Sequence, residues 1–315
     1  MGKYLVRRFT ALLITLVVIS IIIFVMAEVM PIDPARSILG QYATVENVQA
    51  LREQMGLDRP LVERYINWLT RFLRGDLGES FQLGAEILPI LLVRFKNSVI
   101  LAVCGMLLLV PLSLVLGVVA GLTEGRPPDW GISSLALLLT SLPEFATGLV
   151  LVIIFAWQLK WLPGNSLLVY SGGDPLREPL KLVLPAITVA LSSTGHVIRL
   201  TRVSVAKVMN SPYIRTAILK GLPMRTVVFR HALRNALLAP LTVLTMQFGY
   251  MMGGLVVIEN LFTYPGLGRL FASAASFNDV PVIEASALLG VTLAVFSQLL
   301  ADILYGLLNP RIRYS

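Results

Sequence analysis

Few side chains in this 315-residue sequence are equipped for chemistry, and most of those lie inside apolar stretches. Glu144 follows Pro143 in the middle of one such stretch, and Ser192, Ser193, Thr194, Gly195 and His196 form a polar cluster in another. An ionisable group at membrane depth marks either a functional path or a hydrogen-bonded packing residue. If Glu144 faces a pore, its charge favours a cationic group such as an amine. The serine cluster has two open readings: it lines an aqueous path, or it bonds and packs between helices. His196 and His231 are the only histidines. Neither has a second ligand at helical spacing, so no metal site is expected. H-E-x-x-H, G-x-S-x-G and G-x-x-x-x-G-K-[ST] are all absent, so neither hydrolase chemistry nor ATP hydrolysis is expected of this chain. The single Cys104 cannot form an intrachain disulfide.

The elements that position these residues follow from composition. Hydrophobic residues make up 56% of the chain and charged residues 14%, against roughly 25% charged in a soluble domain. The fold class is therefore an all-α membrane protein, because lipid forces every backbone polar group to pair within its own helix. The net charge of +8 reads as cationic loops held in the cytoplasm, with no nucleic-acid partner.

Six apolar segments have the length of a span, at 9–29, 97–122, 131–157, 182–200, 236–258 and 284–307. The first is too long for a cleavable signal core and is expected to stay as a span. Arg199, Arg202, Lys207, Arg215, Lys220, Arg225, Arg230 and Arg234 crowd the loop after the fourth segment, and no acidic residue occurs between 199 and 258. That loop is expected in the cytoplasm. Lys3, Arg7, Arg8, Arg311 and Arg313 put both termini there too, which requires an even number of spans. The loop 123–130 contains Glu124, Arg126 and Asp129 and gives orientation no support. Residues 31–96 fall outside, with helical patterning at 45–56 and 61–74; Leu61, Tyr65, Trp68, Leu69 and Phe72 recur at helix spacing. The expected organisation is a cytoplasmic tip and first span (1–30), an extracytoplasmic helical segment (31–96), a five-span core (97–307) containing the loop 199–235, and a tail (308–315). Gly249, Gly253 and Gly254 suggest close helix packing in the fifth span. Asp302 is expected to be paired or hydrated near the cytoplasmic end of the sixth, while Arg269 and Asp279 are expected to lie outside.

Within 199–235 the punctuation predicts a short helix. Ser211 can cap it, Pro212 suits its first position, and Gly221 suits the residue just past its end. Ile214, Ala217, Ile218 and Gly221 share one face, and Pro223 starts a second helix. Such a helix can lie on anionic lipid, contribute only to orientation, or fill a partner's groove.

The ordered residues carry a resemblance. Tyr213-Ile-Arg-Thr-Ala-Ile-Leu-Lys-Gly-Leu, followed by Phe229-Arg-His-Ala-Leu-Arg-Asn-Ala, resembles the coupling loop of ABC-type permeases of the peptide/nickel importer family, of the first-permease type. Arg215-Thr216-Ala217 with Gly221 takes the place of E-A-A-x-x-x-G, with Arg215 replacing the acidic residue. His231 to Arg234 takes the place of the later element, without its proline. Pro31-Ile-Asp-Pro-Ala, Gln54-Met-Gly-Leu-Asp-Arg-Pro, Gly75-Asp-Leu-Gly-Glu-Ser, Tyr264-Pro-Gly-Leu-Gly-Arg-Leu and Asn309-Pro-Arg-Ile-Arg-Tyr are similar to family segments in the same order.

The resemblance implies a type I importer permease in a bacterial inner membrane. A second permease would complete its pore, two cytoplasmic ATPase subunits would hold ATP and magnesium, and an extracytoplasmic binding protein would deliver solute. It implies a coupling role for Tyr213, Arg215, Thr216, Ala217, Lys220, Gly221, His231 and Arg234. Glu144, Ser192, Ser193 and His196 are the candidate solute path. Peptides are the leading solute class, with nickel chelates, glutathione or opine-like conjugates as alternatives. An ion-coupled secondary transporter is the rival reading; no inverted repeat supports it.

Overall fold

A computed structural model describes residues 2–29, 35, 39, 44–168 and 173–308. The side chains of 2–6, 54, 55, 252–254, 301, Asp302 and 304–308, and the segments 31–34 and 309–315 with Arg311 and Arg313, lie outside what is described.

The helices α1 (Gly2–Val29), α4 (Ile87–Leu122), α7 (Leu180–Met209) and α13 (Val280–Leu308) are each long and apolar enough to cross a membrane. Two bent pairs, each counted as one span, bring the number among the described residues to as many as six. The first joins α5 (Pro127–Ser141) to α6 (Glu144–Leu151), which runs on as a π-turn to Gln158, with a bend of 107° at Leu142 and Pro143. The second joins α9 (Met224–Ala236) to α10 (Leu238–Gly254) with a bend of 48°. Each of the six apolar segments falls on one of these helices or bent pairs, and the third is broken rather than continuous. Proline explains the break: Pro143 has no N–H to give the preceding turn and biases Leu142 to the extended conformation it adopts, at ψ 130°. Helix α4 also starts earlier than its apolar run, at Ile87.

The core is built around α4 and α7. Small residues let the two backbones approach: a Cβ on Gly117 would collide with Thr201 Cβ, and one on Gly121 would lie 2.6 Å from Val205 Cβ. Leu101, Leu109, Leu184, Val197, Ile258 and Phe262 fill the interior beside them. Outside this centre, α1 and α10 pack on α13. In α10, Gly249 faces Ser297 of α13 at packing distance, as expected of a close-packing glycine.

The segment 31–96 holds α2 (Val45–Met55) and α3 (Leu61–Leu73), near the expected positions. A turn region at 75–86 leads from α3 into α4. Two further helices, α11 (Val256–Leu261) and α12 (Leu267–Phe277), connect α10 to α13.

Candidate functional site

One end of the molecule is organised around α8 (Pro212–Leu219), bounded by the predicted proline and glycine. Gly221 adopts φ +74°, a left-handed conformation that glycine enters without a Cβ penalty, and nothing crowds it. Its N–H donates to the Ile218 carbonyl at 2.9 Å, closing the helix end. Ser211 sits at the cap position but does not cap with its side chain. Its hydroxyl donates instead to the Val208 carbonyl at 2.5 Å, which ties it to the end of α7.

The orientation of α8 corrects the amphipathic reading. Ile214 and Ala217 do share a buried face, packed against Val227 and Ala232 of α9 and beside Val208 and Met209 of α7. That face holds the helix onto its own chain and is not offered to a partner. Ile218 is exposed, not part of the buried stripe, and Leu219 is 80% exposed. Tyr213, Leu222, Met224 and Phe229 are exposed as well. These apolar side chains stand among the exposed Arg215, Lys220, Arg225 and Arg230. Asn235 Nδ2 donates to the Tyr213 hydroxyl at 3.0 Å, a second fastening between α8 and α9. Residues Val227–Ala232 of α9 form a π-turn, a form common at functional sites. Thr216 and Arg234 are exposed, and His231 is half-buried. The arrangement is a short rigid lever with an apolar outer face and a basic rim.

In the membrane interior the break in the third span places Glu144 in the first turn of α6. A cavity of about 120 Å³ is lined by Glu144, Ser192, Ser193, Gln247 and Tyr250, with apolar residues completing the wall. The members of the serine cluster differ in what they meet. Ser192 and Ser193 face the cavity, and Gln247 Nε2 donates to Ser193 Oγ at 2.5 Å. Thr194 is buried and donates to its own helix at Ala190, while Gly195 packs against the Ala136 carbonyl. His196 is exposed and does not line the cavity. Gln247 and Tyr250 were missed by sequence reasoning, because a lone glutamine and tyrosine in an apolar run carry no spacing signal.

At the mouth of the core opposite α8, Glu259 is fully buried. It accepts from Ser98 Oγ at 2.5 Å and from the Arg269 N–H at 3.0 Å, so it caps the start of α12. The neighbouring Gly266 leaves the room: a Cβ there would run into the Glu259 carboxylate. Arg269 and Asp279, which lie near this mouth, both make structural contacts. The Arg269 guanidinium donates to the Thr263 carbonyl. Asp279 accepts from Ser80 Oγ at 2.5 Å and the Phe81 N–H at 3.1 Å, holding the turn region against α13.

Comparison with known proteins finds sequence matches along the length of the chain. Residues 113–314 match the family described as binding-protein-dependent transport system inner membrane component. Residues 1–107 match the N-terminal region described for the same kind of membrane component. The chain is 35% identical to the glutathione transport system permease protein GsiC of Pectobacterium atrosepticum and 35% identical to the probable peptide ABC transporter permease protein y4tP of Sinorhizobium fredii. It is 33% identical to GsiC of Escherichia coli, strain K12. Each similarity covers 100% of both chains.

Proposed function

Because the chain belongs to the family of binding-protein-dependent transport system inner membrane components and is a permease subunit of an ABC importer, we propose that it is driven through α8 and carries peptides or a peptide-like conjugate such as glutathione. The observation that carries the coupling part is the exposed outer face of α8, with Leu219 at its end, on a helix fixed from behind by Ile214, Ala217 and the Asn235–Tyr213 bond. An apolar lever ringed by arginines and lysines suits a groove in a cytoplasmic ATPase. Because the helix is fastened to α7 and α9, a push on it is passed to the fourth and fifth spans as a rigid-body motion. A second permease completes the pore, two ATPase subunits hold the ATP and magnesium, and a binding protein supplies solute from outside.

The solute class rests on relatives named for glutathione and for peptides. The cavity beside Glu144 is read as part of the solute path, since it joins a broken span to a carboxylate and two hydroxyls. Among the described residues, Glu144 has no hydrogen-bonding or ion-pairing partner, so its charge is free to meet a solute amine. An ion-coupled secondary transporter is not favoured, because the relatives are ABC permeases. The test is uptake into proteoliposomes holding the complete transporter and its binding protein. Uptake of short peptides or glutathione that needs ATP on the ATPase side supports the reading. Uptake that follows a proton gradient without ATP overturns it.

A further inference from the structure

Helix α3 divides into three lengthwise faces rather than two. Tyr65, Trp68 and Phe72 form an aromatic face, with Phe24 of α1 set against Tyr65 and Trp68 at ring-centroid distances of 5.5 and 5.6 Å. Glu63, Asn67, Thr70 and Arg74 form a polar, exposed face. Val62, Ile66, Leu69 and Leu73 form a third, apolar face within an arc of about 60°, at roughly 100° per residue. Three of those four stand open: Val62 is 71% exposed, Ile66 55% and Leu73 76%. A water-facing helix has no use for such a stripe, so something apolar must cover it.

The depth of α3 identifies the cover. The Tyr65 hydroxyl bonds Ser20 Oγ at 2.8 Å. Ser20 lies nine residues before Val29, the outer end of α1, or about 13 Å along the axis at 1.5 Å per residue. Arg64 meets Glu28, one residue from that end, at 2.5 Å. The aromatic face therefore reaches below the polar boundary while Arg64 stays at it, as expected of a helix lying at the membrane surface. The open stripe and the aromatic face adjoin, while the polar face, Arg64 and Arg71 take up the opposite side of the helix. The aromatic face packs on Phe24 of α1, so the open stripe stands beside a helix that is long and apolar enough to be a span and that exposes Val17, Ile21 and Val25. Acyl chains are the apolar cover that such a neighbour brings with it.

We propose that α3 is an interfacial helix of the outer leaflet, with Val62, Ile66, Leu69 and Leu73 inserted among lipid acyl chains and Glu63, Asn67, Thr70 and Arg74 facing water. The lipid anchor also steadies the turn region at 75–86. Arg71 Nε bonds Asp76 at 2.8 Å, and Ser80 is bonded to Asp279 at the start of α13. The chain from α3 to the outer mouth is thus referenced to the membrane surface.

The test is spin labelling of the full chain in nanodiscs of phosphatidylethanolamine and phosphatidylglycerol, with Cys104 replaced by serine. Single cysteines are placed at Val62, Ile66 and Leu73, and separately at Glu63, Asn67 and Thr70. Oxygen partitions into acyl chains, and a nickel chelate stays in water. The oxygen-to-nickel accessibility ratio is expected to be several-fold higher at Val62, Ile66 and Leu73 than at Glu63, Asn67 and Thr70. High nickel access at both sets would place the stripe in water and overturn the proposal. Low access to both reagents at Val62, Ile66 and Leu73 would mean a protein partner covers it, which also overturns the proposal. Brominated-lipid quenching of a tryptophan placed at Ile66, compared with one placed at Asn67, gives a second reading without a nitroxide; equal quenching at the two would contradict insertion.

Discussion

Arg202 grips Asp129 with both sides of its guanidinium, Nη2 to Oδ2 at 2.7 Å and Nε to Oδ1. The pair ties the start of the broken third span to the last part of α7, about two helical turns before α7 ends. Asp129 is only 2% exposed and also accepts from the Gly125 N–H at 2.9 Å and Ser133 Oγ at 3.1 Å. Nearby, Asn210 Nδ2 donates to Glu124 at 3.3 Å. Both acidic residues of the short loop are therefore engaged by α7 and its end.

Removing the cation strands a buried carboxylate, which costs about 3–5 kcal/mol. Arg202→Ala is expected to lower the melting temperature of the detergent-purified protein sharply. The double change Arg202→Ala with Asp129→Ala should recover much of the loss, because no charge is left unpaired. Equal destabilisation by the single and double variants would show that the loss does not come from a stranded Asp129 charge.

The seat of α8 makes a second prediction. Ala217→Arg forces a long charged side chain between α8 and Val227, and Gly221→Pro demands a φ of about −65° where the chain needs a positive one. Both variants should insert into the membrane at ordinary levels and lose ATP-driven uptake. Full transport by either, measured in vesicles with protein level normalised, would refute the coupling role of this helix.

The cavity beside α6 makes a third. Glu144→Gln keeps the shape of the side chain and removes its charge. Uptake of solutes carrying an amine or an added lysine should fall several-fold more than uptake of anionic solutes. A uniform fall across solutes would assign Glu144 to packing at the Pro143 break.

Span positions are legible in the sequence from apolar length alone, because lipid leaves the backbone no other solution. The bounds of α8 are legible from Pro212 and Gly221, whose backbone restrictions are local. Its orientation is not. Ile214 and Ala217 face inward because Val227 and Ala232 of the next helix meet them, and periodicity in one segment does not say which neighbour its apolar face will find. Asp129 misleads the charge count for a similar reason, since a buried ion pair adds nothing to loop charge yet looks the same in a sequence. Glu144, Ser192 and Ser193 are legible as a candidate path, but Gln247 and Tyr250 come from a different span and announce themselves only in three dimensions. The aromatic run of α3 is enough to place the helix, whereas its contact with Phe24 and Ser20 of α1 requires the fold.

Docking of the outer face of α8 on the ATPase is tested most directly by a site-specific cross-link from Leu219→Cys, in a chain whose Cys104 is serine, within the assembled transporter. Leu219 is expected to yield an adduct with the ATPase subunit, at an efficiency that changes on adding ATP, while a cysteine at the exposed Leu176 on the outer side gives none. Absence of any ATPase adduct at Leu219, in a transporter that still takes up solute with ATP, would contradict docking through α8.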